Sequence, residues 1–133
     1  MNRLLILPVL LLTLLVGNSA FSADFQKGVT AYKSGDYATT LREWTPLAEQ
    51  GDASAQYNLG LMYQNGQGVP QDYKTAVKWY TLAAEQGIAF AQYNLGYMYD
   101  EGTGVPEDDK TAVKWYRLAA KGECLSRTLL GST

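Results

Sequence analysis

Few side chains in this chain could carry out a reaction. There is no histidine and one cysteine, Cys124. Neither a Ser-His nor a Cys-His nucleophile pair can be assembled, no imidazole can ligate a metal, and no internal disulfide or thiolate cluster can form. Ser-x-x-Lys, the nucleophile motif of penicillin-recognising enzymes, occurs nowhere. Lys74-Thr75-Ala76 and Lys110-Thr111-Ala112 end in alanine, where the companion Lys-Thr-Gly motif needs glycine for close approach to the substrate. Both read instead as first-turn residues of a helix. Glu107-Asp108-Asp109 lacks the alternating ligands and closing Glu of a calcium loop, and acidic residues at a helix start already suit the helix dipole. No catalytic, cofactor or metal residue is therefore expected. With 13 acidic and 11 basic side chains and a net charge of −2, the chain also lacks the basic face that nucleic-acid binding needs.

The apolar residues are unevenly placed. Met1-Asn2-Arg3 precedes an almost unbroken apolar stretch from Leu4 to Val16, and mostly small residues follow from Gly17 to Ala23. This is the pattern of a secretory signal peptide over 1–22. The apolar stretch would cover about 20 Å as a helix, short of a hydrocarbon core of about 30 Å. Ala20 and Ser22 supply the small residues wanted three and one positions before a cut, so processing is expected after Ser22, with Ala23 as the alternative. Removing 1–22 deletes only Arg3 among the charges and leaves ten basic against 13 acidic groups, or −3. The product is expected to be periplasmic or secreted, with no membrane span left.

What remains is an array. Ala55-Gln56-Tyr57-Asn58-Leu59-Gly60 recurs as Ala91-Gln92-Tyr93-Asn94-Leu95-Gly96, a shift of 36 residues, and Lys74 to Tyr80 recurs as Lys110 to Tyr116 at the same shift. Between 55–84 and 91–120 only seven of thirty positions differ. Each unit reads as two helices. At about 100° per residue, Ala55, Leu59, Met62 and Tyr63 form one apolar stripe, and Ala76, Trp79, Tyr80, Ala83 and Ala84 form another. Gly66-Gln67-Gly68-Val69-Pro70 forces a turn between them, Asp72 suits the start of the second helix, and Gly87 its end. A hairpin of this kind buries its apolar face only by stacking on a neighbour.

These residues carry a family resemblance. Ala53, Ala55, Leu59, Gly60, Tyr63, Gly66, Gly68, Val69, Asp72, Ala76, Trp79, Ala83, Ala84 and Gly87 stand in a spacing that resembles the Sel-one-like repeat (SLR) family, a relative of the tetratricopeptide repeats. Ala89 through Ala120 match a second time. The resemblance implies an all-α, short right-handed α-solenoid of about three stacked antiparallel hairpins: a tetratricopeptide-like N-terminal hairpin at 23–51, repeats at 52–87 and 88–121, and an irregular tail at 122–133. The tail is either a remnant cap or non-native sequence from a truncation or frameshift. The resemblance further implies a scaffold or adaptor for protein partners. The cysteine-rich relatives that resemble β-lactam-binding or hydrolysing enzymes are the competing class, and a chain with one cysteine and no Ser-x-x-Lys departs from them.

In a helical-hairpin array the first helices line the concave face. Projected on a wheel, Asn58, Leu61 and Asn65, with Tyr57 at the margin, lie away from the core stripe, and Phe90, Tyr93, Asn94, Tyr97 and Glu101 occupy the matching face one repeat on. These nine residues are the expected partner-binding groove for a protein or peptide. The plainer reading is that Tyr57 and Tyr93 pack between helices and that the asparagines are solvated or bond locally. Cys124, alone in an exported chain, would allow a disulfide-linked dimer.

Overall fold

The computed structural model describes residues 22–130, the side chains of 124–130 excepted. Most of the expected signal peptide, 1–21, thus lies outside the described residues, as does the Cys124 side chain on which a disulfide dimer would depend. Six helices are formed among the described residues: α1 (Phe25–Lys33), α2 (Tyr37–Glu49), α3 (Ala53–Asn65), α4 (Tyr73–Glu85), α5 (Ala89–Glu101) and α6 (Asp109–Leu130). Each packs chiefly on its neighbours in sequence. The result is an all-α helical repeat solenoid of stacked hairpins.

Local chemistry sets the boundaries. The Asp24, Asp36, Asp52 and Asp72 side chains each accept a backbone N–H in the first turn of the helix that follows. Asp72 also accepts the Thr75 hydroxyl at 2.6 Å, and Asp108 that of Thr111 at 2.8 Å. Hydrogen bonds from Thr39, Thr75 and Thr111 hold the Asp36, Asp72 and Asp108 carboxyls below the ordinary 3.8. α3 and α5 end on Gly66 and Gly102, whose φ of 66° and 63° are left-handed and cheap only for glycine.

One contact recurs in every hairpin. A Cβ built on Gly28 would fall 2.3 Å from the Trp44 ring, one on Gly60 2.5 Å from Tyr80, and one on Gly96 2.9 Å from Tyr116. The second helix of each unit thus lays an aromatic face directly on first-helix backbone. A first-helix aromatic packs against each of these rings: Phe25 on Trp44 at 5.6 Å between centroids, Tyr57 on Tyr80 at 5.9 Å, and Tyr93 on Tyr116 at 5.5 Å. Trp79 and Tyr80, placed on one apolar stripe by the sequence, part at this contact, and the space left by Gly60 is not filled by Trp79. Tyr80 takes that place, while Trp79 turns to the other side and packs with Trp44, Ala48, Ala55, Leu59 and Met62 between the first and second hairpins. Tyr80, Ala83, Ala84, Ala91, Leu95 and Met98 form the cluster between the second and third.

Buried glutamines tie one repeat to the next. Gln56 donates to the Ala48 carbonyl and Gln92 to the Ala84 carbonyl, each at 3.0 Å. Gln86 completes the first pair by donating to Gln56 Oε1 at 2.8 Å. One repeat later, position 122 is glycine, and Gln92 Oε1 is buried without a hydrogen-bond partner among the described residues. The same missing residue explains the end of α6. At 84–87 the chain reads Ala-Glu-Gln-Gly and Gly87 turns it out of the helix at a φ of 94°, whereas at 120–122 it reads Ala-Lys-Gly, and Gly122 lies within α6. Residues 122–130 therefore continue the helix as far as Leu130.

Gly60→Ala tests the ring-on-backbone contact, because two effects of opposite sign compete. Helix propensity favours alanine by about 1 kcal/mol, whereas forcing a methyl into the Tyr80 ring costs about 1–3 kcal/mol. Urea denaturation should show a net loss of stability.

Glu43 generates a second expectation. Its buried carboxylate accepts the Asp24 N–H at 3.0 Å and pairs with Lys27 Nζ at 2.9 Å. The Asp24 bond first, then Lys27, hold its pKa below the ordinary 4.5. A carboxyl depressed in the folded state stabilises it above the unfolded pKa and loses that contribution as pH falls through the folded value. The Tm should therefore drop on acidification below about pH 4.5. Glu43→Gln should flatten part of that slope, leaving the share due to Asp36, Asp72 and Asp108.

Candidate interaction surface

The nine residues expected to form a groove are divided by the fold into three settings. Asn58 and Leu61, on α3, lie with Val29, Tyr32 and Lys33 of α1 and Trp44 of α2 around a cavity of about 170 Å³. That is the size of one large side chain. Its floor is the same Trp44 ring that lies on Gly28. Val29, Tyr32, Lys33 and Trp44 were not singled out from the sequence. A signal for them exists: α1 aligns with α3 at a shift of 32 rather than 36, because the first hairpin lacks the four-residue Gly-x-Gly-Val insertion, and this shift places Val29 on Leu61 and Lys33 on Asn65.

Tyr57, Phe90 and Asn94 meet at the junction of α3, α4 and α5. The Tyr57 ring lies between Tyr80 at 5.9 Å and Phe90 at 6.3 Å. The Asn94 side chain hydrogen-bonds both the Tyr57 and Tyr80 hydroxyls, and Tyr80 donates to Gln64 Oε1. Burial pushes the Tyr57 phenol up and the Tyr80 phenol further, so both stay protonated hydrogen-bonding groups. Here the plainer reading applies in part: Tyr57 and Asn94 join one repeat to the next, leaving Phe90 to present the free face of the stack at 64% exposure.

The third setting is the rest of the exposed face of α5, which runs on from Phe90. Tyr93 is 56% exposed although its ring rests on Tyr116, and it lines an open hollow with Tyr116, Ala119, Ala120 and Glu123. Burial first, then the Asp100 charge, raise the Tyr116 phenol. Tyr97 is 46% exposed, and Asn65 and Glu101 are exposed at the last residues of α3 and α5. Among the described residues no three His, Cys, Asp or Glu side chains converge as metal ligands, and no helix is long and apolar enough to cross a membrane. What the surface offers is aromatic area, amides and one side-chain-sized cavity, the means of binding another macromolecule.

Comparison with known proteins agrees with this architecture. The model of the Sel1 repeat matches residues 53–88 and 89–123. The structure is similar to that of a Sel1 repeat protein from Oxalobacter formigenes, with 41% identity and a TM-score of 0.68 over 74% of this chain and 40% of that one. It is also similar to an SLR-fold protective antigen present in uropathogenic Escherichia coli strains, with 47% identity and a TM-score of 0.69 over 73% of this chain and 22% of that one. The chain thus spans less than half the length of either. No curated protein matches it.

The two equivalent asparagines should behave differently. Asn94→Ala removes a partner from two phenols, one of them fully buried, and should cost about 1–3 kcal/mol in chemical denaturation. Asn58 faces the cavity and makes no side-chain hydrogen bond among the described residues, so Asn58→Ala should change stability by less than about 0.5 kcal/mol.

Proposed function

The chain belongs to the Sel1 repeat family, and from that premise we propose that it is an exported scaffold that holds a protein or peptide partner in a tyrosine-lined groove on its first helices. The observation that carries this reading is the exposure of three aromatics, Phe90, Tyr93 and Tyr97, on the single helix α5. Large aromatics left in water on one face favour association, and such side chains supply most of the energy at interface centres. Position 97 is leucine in the preceding repeat, so the fold itself does not need tyrosine there. The 170 Å³ cavity beside Asn58 and Leu61 adds a socket for one apolar side chain of the partner, with the Asn58 amide placed to bond its backbone. A catalytic role has no comparable support: without histidine neither a Ser-His nor a Cys-His pair can form, and the Thr75–Asp72 and Thr111–Asp108 contacts belong to helix caps. Export rests on the sequence of residues 1–22.

Affinity capture with the exported protein as bait tests both parts. Tyr97→Ala and Leu61→Ala should each weaken capture by about thirtyfold, corresponding to about 2 kcal/mol, with helical circular dichroism unchanged. The bait's intact mass should begin at Ala23 or Asp24. The groove reading fails if the double variant captures the partner unchanged while Lys78→Glu and Lys114→Glu on the second helices abolish capture.

A further inference from the structure

The outward face of α6 differs from its counterpart one repeat earlier. Lys110, Lys114, Arg117 and Lys121 recur at i, i+4, i+7 and i+11, which places them within an arc of about 60° along about 16 Å of helix. The matching positions of α4 are Lys74, Lys78, Thr81 and Glu85, so the stripe changes from two lysines and one glutamate to four cations. All four are exposed, and among the described residues none forms an ion pair. Lys114 Nζ stands 5.5 Å over the Trp115 ring, which steadies it on the helix surface. The nearby acids Asp108 and Asp109 sit at the first turn, beside Lys110, and Glu123 lies off the stripe, beside Tyr93 and Ala119.

Apolar groups border the stripe on both sides. Val113 is 44% exposed, whereas its counterpart Val77 is 9% exposed, and Leu118 stands exposed across the stripe from it. These six side chains surround a shallow hollow of about 290 Å³, and every one belongs to α6. A bound peptide needs two walls, and a single helix supplies one. A single helix face with cations along its crest and aliphatic side chains on its flanks matches a broad anionic layer with an apolar interior beneath it. Concentrating four cations on one helix of a chain with net charge −2 makes the attraction local rather than general.

We propose that the outward face of α6 docks on an anionic lipid bilayer, with the helix lying along the surface, Lys110, Lys114, Arg117 and Lys121 among the phosphates, and Val113 and Leu118 reaching below them. Neither the groove nor its partner enters this assignment.

Vesicle co-sedimentation of the full chain as exported tests it, comparing phosphatidylcholine vesicles with vesicles that also contain phosphatidylglycerol. The difference between the two compositions reports the cations. Partitioning should favour the anionic vesicles and fall as salt shortens the screening length from about 10 Å at 0.1 M to about 3 Å at 1 M. Each cation near such a surface contributes about a fivefold gain in partitioning, so Lys110→Glu, Lys114→Glu, Arg117→Glu and Lys121→Glu together should reduce it by several hundredfold or more. Arg117→Thr with Lys121→Glu restores the residues that α4 carries in this register, so the helix tolerates them. This pair should lose at least about 25-fold and decides the matter if the fourfold variant unfolds. Equal binding to both vesicle types overturns the proposal. So does unchanged partitioning of the Arg117→Thr, Lys121→Glu variant, or a stripe whose substitution abolishes capture of soluble poly-glutamate while vesicle binding persists.

Discussion

Everything in this solenoid is hung on an aromatic ring lying against a glycine. At Gly28, Gly60 and Gly96 the missing Cβ lets the ring of Trp44, Tyr80 or Tyr116 approach first-helix backbone at a distance no other residue would permit. That approach sets the spacing within each hairpin. It also brings the ring against a first-helix aromatic three residues before the glycine, Phe25, Tyr57 or Tyr93. In the second repeat the stack continues outward, from Tyr80 to Tyr57 to the exposed Phe90 of the next repeat. The candidate surface is therefore the outer end of the core's own stacking, and a change at the glycine would move both at once.

The third repeat keeps the ring contact and part of its polar support. Tyr80 is bonded by Gln64 and by Asn94 from the following helix, while Tyr116 has Asp100 in place of Gln64 and faces an open hollow. Gln92 keeps its bond to Ala84 but not the second one that Gln86 gives Gln56. A buried acceptor without a donor costs about 1–3 kcal/mol, so α5 and α6 form the less secure end of the stack. Exposed aromatics and the unbonded Gln92 acceptor thus meet in one hairpin, where binding a partner would recover part of the lost stability.

Much of this was legible in the sequence because the repeat compares the chain with itself. The shift of 36 located four of the six helices, the Asp72 and Asp108 caps and the glycine turns, since each feature depends on residues only a few positions apart. What it missed depends on distance across the fold. Tyr80 and Trp79 are adjacent in sequence and both apolar, and a wheel assigns them to one stripe. Only the packed helices decide that Tyr80 meets Gly60 while Trp79 faces the previous hairpin. The same limit hid the dual role of Asn94, whose amide serves rings on two other helices. Val29 and Lys33 were missed for a different reason, because a four-residue insertion changes the shift to 32 and breaks the alignment that revealed everything else.

Charge divides the molecule as firmly as the rings unite it. Neither α3 nor α5 contains a lysine or arginine, whereas α4 and α6 carry cations at corresponding positions on their outward faces. Five of the 13 acidic groups cap helices, and Glu43 is a buried partner for Lys27 and the Asp24 N–H. The first helices of the second and third hairpins are thus free to present aromatic and amide groups without a cation of their own, whereas α1 keeps Lys27 and Lys33, and second helices carry the positive field. A single layer could not combine the two, because a lysine among Tyr57, Phe90 and Tyr93 would hold water against the rings that an apolar partner must displace. Two layers of helices, each buried only on its inner side, let one short chain keep these surface chemistries apart.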